Sequence, residues 1–177
     1  MCGIIALVSR PSVRVPPTQA EIIGHLDAAV SSGSDIGRVT ENLVIVNELL
    51  KGVPGVLTLV DNHELTASIT SRLDQVAGVV AQLETTLEKS EVDAEELEAS
   101  TAAMIALRDV LWAIGQDRLR TALLVGELAG RQAGVAAVGG YLTIQQALSA
   151  LDRLEVRGRD SAGVHVFVWG HGLSHSD

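Results

Sequence analysis

DNHELTASITSRLDQVAGVVAQLETTLEKSEVDAEELEASTAAMIALRDVLWAI, residues 61–114, is the part of this 177-residue sequence that most clearly predicts its fold class. Apolar residues recur in it at steps of three and four, the period of one helix face. The first stripe is Leu65, Ile69, Leu73, Val76, Val80, Leu83 and Leu87, and the second is Leu97, Met104, Leu107, Leu111 and Ile114. Asp61-x-x-Glu64 and Asp93-x-x-Glu96 mark the helix starts. We therefore expect two long helices with a short acidic connection, packed as an antiparallel hairpin with a seam close to that of a coiled coil.

The sequence before this hairpin predicts two further helices. Thr18-x-x-Glu21 is a capping box, in which the threonine hydroxyl accepts a backbone N–H and the glutamate reaches back. The apolar faces that follow are Ile22, Ile23, Leu26 and Val30, and then Ile36, Val39, Leu43, Val46 and Leu50. Gly52 and Pro54-Gly55 are expected to end the second helix.

After the hairpin, a helical stretch through Leu119, Leu123, Val125 and Leu128 leads into the glycine-rich segment 130–140. Thr143-x-x-Gln146 then predicts a new helix start. Its apolar face is Ile144, Ala147, Leu148, Leu151 and Leu154.

Two apolar runs outside the helical block are rich in β-branched residues. Gly3–Ser9 reads GIIALVS and predicts a buried strand, which the prolines from Pro11 onward end. Ser161–Trp169 reads SAGVHVFVW and predicts a strand with Val164, Val166 and Val168 on one face. The expected order is a strand, a large helical block, a helix and a strand.

Composition excludes several function classes. The net charge of −9 argues against nucleic acid and against anionic membrane surfaces, because both need basic residues. No run approaches the length of a membrane span, and the opening apolar run is too short for a signal peptide. A single cysteine excludes an intrachain disulfide and fits a reducing compartment. We expect a cytoplasmic protein without a membrane partner, and a homo-oligomer is compatible with the sequence.

Cys2 follows the initiator methionine directly, and two interpretations of it are open. Removal of Met1 would leave a thiol and a free α-amine on one residue, so the amine could act as base for the thiol nucleophile. A lone cysteine is otherwise a small buried apolar side chain.

The segment Leu154–Gly163 reads LEVRGRDSAG and joins the last predicted helix to the last predicted strand. It predicts a tight turn that carries Arg157 and Asp160 among small residues. Such a turn can bring a guanidinium and backbone N–H groups to a ligand, although arginine and aspartate at a turn are more often solvated or paired with each other.

Taken together, the opening Cys-Gly-Ile and this segment resemble the glutaminase domain of class II glutamine amidotransferases. These enzymes belong to the N-terminal-nucleophile (Ntn) hydrolases, and the glucosamine-6-phosphate synthase family (glutamine:fructose-6-phosphate aminotransferases) is the most similar. That family carries Leu-Glu-Tyr-Arg-Gly-Tyr-Asp-Ser-Ala-Gly, where this chain has Val156 and Arg159 in place of the two tyrosines. The resemblance covers about a quarter of the chain. It implies a mostly α chain, in which an α+β Ntn fragment (1–14 and 141–177) is split by an inserted antiparallel helical bundle (15–140).

The resemblance also implies an activity and a site. Cys2 would be the nucleophile that releases ammonia from glutamine, for transfer to a sugar-phosphate acceptor held in another domain. Arg157 would order the site, while Asp160 and Gly163 would hold the turn with Gly158 and Ser161. It implies no cofactor and no metal. The family's later motifs, which bind the glutamine carboxylate and form the oxyanion hole, are not found before Asp177, so we expect the 177-residue chain alone to be inactive.

Two alternatives stay open beside this interpretation. The chain could be a non-catalytic helical interaction or scaffold protein with vestigial amidotransferase segments, in which case an apolar stripe should stay exposed after the bundle has packed. The helical stripes could otherwise form only the core of the bundle itself. His165, His171 and His175 lie near one another in the sequence, but they have no acidic or cysteine partner at metal-ligand spacing.

Overall fold

The chain folds as a bundle of α-helices joined by short turns. The structure, a computed structural model, describes residues 4–87, 89, 93–154 and 163–170. Its helices are α1 (Gln19–Ser31), α2 (Ile36–Leu49), α3 (Gly52–Leu59), α4 (His63–Leu87), α5 (Ala94–Trp112), α6 (Arg120–Ala129) and α7 (Val135–Leu154). A π-helical segment, Ala113–Leu119, connects α5 to α6 without a break. The expectation of a mostly α chain is confirmed for the described residues.

The capping box that was predicted before α1 is present. The backbone N–H of Glu21 donates to Thr18 Oγ1 at 3.2 Å, and the Thr18 N–H donates to Glu21 Oε2 at 2.8 Å. These bonds satisfy donors that the first turn of a helix leaves free. Thr18 Oγ1 also donates to Glu21 Oε2 at 2.7 Å. The two hydrogen bonds that the carboxylate accepts from Thr18 lower the pKa of Glu21, with the backbone hydrogen bond as the main cause.

The predicted apolar faces form the core. Ile22 and Leu26 of α1, Leu43 and Val46 of α2, and Leu65 and Ile69 of α4 are fully buried. α1 packs against α2 and α4, and α5 packs against α2, so the stripes meet across several helices. Their interpretation as core is confirmed, except at four leucines that are exposed, namely Leu97, Leu123, Leu128 and Leu148.

The structure differs from the sequence prediction at the start of α4 and at α3. α4 is capped by Asn62, whose Oδ1 accepts the N–H of Leu65 at 3.1 Å, because Asp61 adopts a left-handed conformation (φ 59°). The sequence does not predict α3, because Pro54 and Gly55 are residues that usually end helices. Pro54 is tolerated there because it lies in the first turn, where its missing N–H has no intrahelical partner.

The helix start predicted at Thr143 is wrong. α7 begins at Val135 and passes through that position, where Thr143 Oγ1 donates to the carbonyl of Gly139 at 2.9 Å. Val138 and Leu142 are buried in the core, and α7 packs against α6 and α3. The predicted division of the chain at residue 140 therefore falls inside one continuous helix.

The two predicted strands are wrong for this structure. Residues 4–10 and 163–169 have neither helical nor strand conformation, and no strand occurs elsewhere in the described part of the chain. Their large apolar side chains are exposed, with Ile4 at 95% and Trp169 at 84%, except for Ile5, which is half-buried. A strand needs a neighbouring strand to pair its backbone groups, and the described residues provide none.

The chain leading into the bundle becomes anchored only at Arg14. Its Nη1 donates to the carbonyl of Glu48 at 2.8 Å, and its Nη2 donates to those of Leu49 and Lys51. A guanidinium at this position satisfies carbonyls that the end of α2 leaves free. Pro17 is buried beyond it, and its carbonyl accepts Thr58 Oγ1 of α3 at 2.9 Å. Residues 4–13, before this anchor, are almost entirely exposed.

Candidate functional site

The site predicted from the sequence falls almost wholly outside the described residues. Cys2, Arg157, Gly158, Asp160 and Ser161 all do so, and the predicted proximity of Cys2 and Arg157 stays a prediction. Gly163 is described and is exposed. No other atom of the described chain lies within 4 Å of the place where its Cβ would be, so nothing packs closely on this glycine.

The long hairpin opens into a surface groove that the sequence did not predict. Near their connection α4 and α5 contact each other, and Arg108 Nη2 lies 2.6 Å from Glu84 Oε2. Farther along, α4 separates from the π-helical segment and α6, and the gap between them has a volume of about 640 Å³. We call this gap the α4–α6 groove, and its size is within the range of ligand sites.

One wall of the α4–α6 groove is a single face of α4. The residues on this wall recur at steps of three and four, which places them along one line on the helix. They are His63, Thr66, Thr70, Leu73, Asp74 and Ala77. This face shares Leu73 with the buried stripe of α4, and its other residues are polar or small, so the groove borders the core.

The opposite wall comes from the continuous helix that runs from α5 into α6. Its residues are Leu111, Gly115, Gln116, Leu119, Arg120, Ala122, Leu123, Gly126 and Glu127. Small side chains at Gly115, Ala122 and Gly126 leave room between the walls. Leu123 is 56% exposed, which is unusual for a leucine in a helix that packs on a core.

The π-helical segment shapes this wall. The N–H of Arg120 donates to the carbonyl of Gly115, five residues earlier, and this widened turn shifts the register of the helix. π-Helical turns are rare and often occur at functional sites. On another face of the segment, Arg118 Nε donates to Asn47 Oδ1 of α2 at 2.9 Å, and burial lowers the pKa of this arginine. The segment is thereby attached to the core while Gly115 and Gln116 face the groove.

The charges around the α4–α6 groove are mainly negative. Asp61 and Glu127 lie at one end, where Gly126 is beside Val60, and Asp74 lies farther along α4. Arg120 is the cationic residue of the lining. The sequence signal that could have revealed this groove is the polar line on α4 opposite a helix that carries glycine and alanine at helical spacing.

A second, smaller cavity of about 150 Å³ lies where α1, α2 and α4 meet. Valine and leucine side chains dominate its lining, and Gln75 contributes a polar group. We regard it as a gap in core packing.

No model of a known protein family matches the chain, and no match was found among curated proteins or among solved structures. No single described helix is long and apolar enough to cross a membrane, although α2 and α3, which are bent by 92° at their junction, would pass the same test if taken together. In the described ranges, no three His, Cys, Asp or Glu side chains are grouped so that they could hold a metal ion.

Proposed function

We propose that this chain is the N-terminal part of a glutamine-dependent amidotransferase that resembles glucosamine-6-phosphate synthase. The observation that carries the proposal is the combination of Met1-Cys2-Gly3-Ile4 with the segment Leu154–Gly163. Either motif alone is short. Together they provide a cysteine in the position that N-terminal activation requires and a predicted turn whose arginine matches the pattern of the family.

In this proposal Cys2 performs the chemistry after Met1 has been removed. Its thiol transfers a proton to the freed α-amine, and the thiolate attacks the side-chain amide carbon of glutamine. The α-ammonium returns its proton to the amide nitrogen, the C–N bond breaks, and ammonia leaves as the γ-glutamyl thioester forms. Water then cleaves the thioester, which releases glutamate and restores the thiol. Arg157 orders the site, and the ammonia passes to a sugar-phosphate acceptor in another domain. A reducing cytoplasm would keep the thiol available.

The second half of α7 supports this assignment, because it leads directly into the Arg157 segment. Ile144 and Leu151 are half-buried, Leu148 is exposed, and none of them belongs to the core cluster. A helix with an apolar stripe is stable when that stripe is covered by another layer. We propose that a sheet containing the 3–9 and 161–169 segments forms this layer, once further strands pair with them.

The proposal is tested by intact mass and by a glutaminase assay. We expect the purified protein to lack Met1, and the 177-residue chain alone to release no glutamate. The same chain followed by the carboxylate-binding and oxyanion motifs should release glutamate, and Cys2→Ala should abolish this release. Retained Met1, or glutamate release that survives Cys2→Ala, would contradict the proposal, because a blocked amine cannot act as the base.

A second candidate function is that of a helical interaction protein, and the α4–α6 groove is the observation in its favour. The groove leaves Leu123 exposed beside Leu119 and Leu111, as expected if an apolar surface remains after the bundle has packed. The test is whether any amphipathic helical peptide, whatever its charge, shifts the amide resonances of α4 and α6. Without such a shift this function is rejected, and the amidotransferase proposal is unaffected.

A further inference from the structure

We propose that the α4–α6 groove binds an amphipathic helix whose apolar face is flanked at both ends by lysine or arginine. This inference rests on the second candidate function and specifies the chemistry of the partner. It is independent of the chemistry proposed for Cys2.

The length of the groove matches a short helix. From His63 to Ala77 the α4 wall is 15 residues long, and its ends lie roughly 21 Å apart at the helical rise. The facing wall extends from Leu111 to Glu127. A helix of about four turns would therefore contact both walls along its length, as in helix-in-groove recognition. The gap is an open trough between two helices, which suits an elongated partner better than a compact small molecule.

The apolar floor supplies anchoring contacts at helical spacing. Leu111, Leu119 and Leu123 follow one another along the facing wall, with Leu73 opposite them. Apolar side chains at positions i, i+4 and i+7 of a docked helix would cover this row. Covering Leu123 would remove the most exposed apolar side chain of the groove from water.

Charge determines which amphipathic helix fits. Asp61 and Glu127 place carboxylates at one end of the trough, and Asp74 places another toward the far end. Asp61 accepts the backbone N–H of Gln132 at 3.3 Å, a bond that leaves its negative charge in place. Arg120 is cationic, and Gln116 Oε1 lies 3.5 Å from its guanidinium. A partner with cations at both ends and a neutral or acidic residue opposite Arg120 complements this pattern, whereas an acidic helix is repelled.

The experiment titrates the isotope-labelled full chain with three synthetic 14-residue peptides that share one apolar face. Their flanking residues are lysine, glutamine or glutamate. We expect the lysine peptide to bind at least about fivefold more tightly than the glutamine peptide at low salt, with the advantage lost at high salt, and the glutamate peptide to bind weakest. Shifted amide resonances should lie on α4 and on the helix from Leu111 to Glu127.

Two variants and a control locate the site. Leu123→Glu replaces an exposed side chain and should weaken the lysine peptide about tenfold or more while the melting temperature stays unchanged. Asp74→Lys should reduce the preference for lysine over glutamate flanks. Val44→Glu, at a similarly exposed valine on α2 outside the groove, should change neither.

The outcomes separate the inference from the function on which it rests. If the lysine and glutamate peptides bind the groove equally, the charge inference is overturned and the interaction function stands. If no peptide binds, both are overturned. Binding that Leu123→Glu leaves unchanged would place the site elsewhere and also overturn the inference.

Discussion

The helical bundle and the terminal segments (residues 4–13 and 163–170) contain similar apolar side chains, but these differ in burial. Leu43 and Ile22 are fully buried in the bundle, whereas Val8 is 88% exposed and Val166 is 55% exposed. The difference lies in how each conformation satisfies its backbone. A helix pairs its own N–H and C=O groups, so only its apolar stripe needs a packing partner. A strand also needs a neighbouring strand to form the hydrogen bonds of its backbone.

α7 contains both situations in one helix. Val138 and Leu142 in its first half are part of the core, while Leu148 in its second half is exposed. The bundle therefore buries only the half of α7 that faces α3 and α6. Like Leu123 in the α4–α6 groove, its second half and the terminal segments leave apolar surface uncovered, and they flank the motifs that resemble an amidotransferase.

The most direct test of this comparison is a leucine-to-alanine substitution made once in the core and once in the second half of α7. Leu43→Ala removes a fully buried side chain and should lower the free energy of unfolding by roughly 3 kcal/mol, through lost burial and a residual cavity. Leu148→Ala should cost less than about 1 kcal/mol, because Leu148 is already exposed. Urea denaturation followed by circular dichroism measures both. Equal losses would mean that the second half of α7 is packed as tightly as the core.

A glycine pair probes how closely the bundle is assembled. A Cβ at Gly55 would overlap the backbone carbonyl of Leu50, where α2 turns into α3. Gly55→Ala should therefore destabilise by about 2 kcal/mol or more, since backbone must move. The matched control is Gly78→Ala on the open face of α4, which should stabilise by up to about 1 kcal/mol. Thermal melts of the two variants should shift in opposite directions, and shifts of the same sign would contradict this packing.

Loss of the α1 cap should have a smaller effect. Thr18→Ala removes the acceptor for the Glu21 N–H and should cost about 1 kcal/mol. Ser71→Ala, at an exposed position within α4, should stay within about 0.5 kcal/mol of the wild type. Chemical denaturation of the two variants in parallel would show a difference only if the cap stabilises α1 in solution.

The capping box should also make the free energy of unfolding depend on pH. The folded state lowers the pKa of Glu21 below 4.5, so the unfolded chain takes up its proton first as the pH falls. The stabilisation is thus complete above the unfolded value and disappears as the pH falls through the lowered folded value. We expect the stability difference between the wild type and Glu21→Gln to be present at about pH 7 and absent at about pH 2. A difference that is independent of pH would show that the carboxylate charge is not involved.

The smallest effect is expected in the terminal segments. Val166→Thr changes an exposed side chain outside any helix or strand and should alter the melting temperature only within error, corresponding to less than about 0.5 kcal/mol. A clear loss of stability would show that this segment packs in solution.

The accuracy of the sequence predictions follows from the same physics. The stripe Leu65, Ile69, Leu73 and the cap at Thr18 were predicted correctly, because both depend on spacing within one helix. The spacing Thr143-x-x-Gln146 predicts a cap, yet packing of α7 on α3 and α6 carries the helix through Gly139, Gly140 and Thr143. The polar line on α4 and the small residues of the facing helix are visible in the sequence, but they do not determine how far apart the two helices lie. That separation depends on tertiary packing and on the π-helical register shift at Gly115.

Hydrogen exchange of the full chain tests the central contrast most directly. We predict strong protection at the core helix amides of Leu26, Val46 and Ile69, and exchange near the unfolded rate for residues 5–9 and 164–168. Protection of those two segments comparable to that of the core would contradict the account, because it would require that they are already paired as strands within this chain.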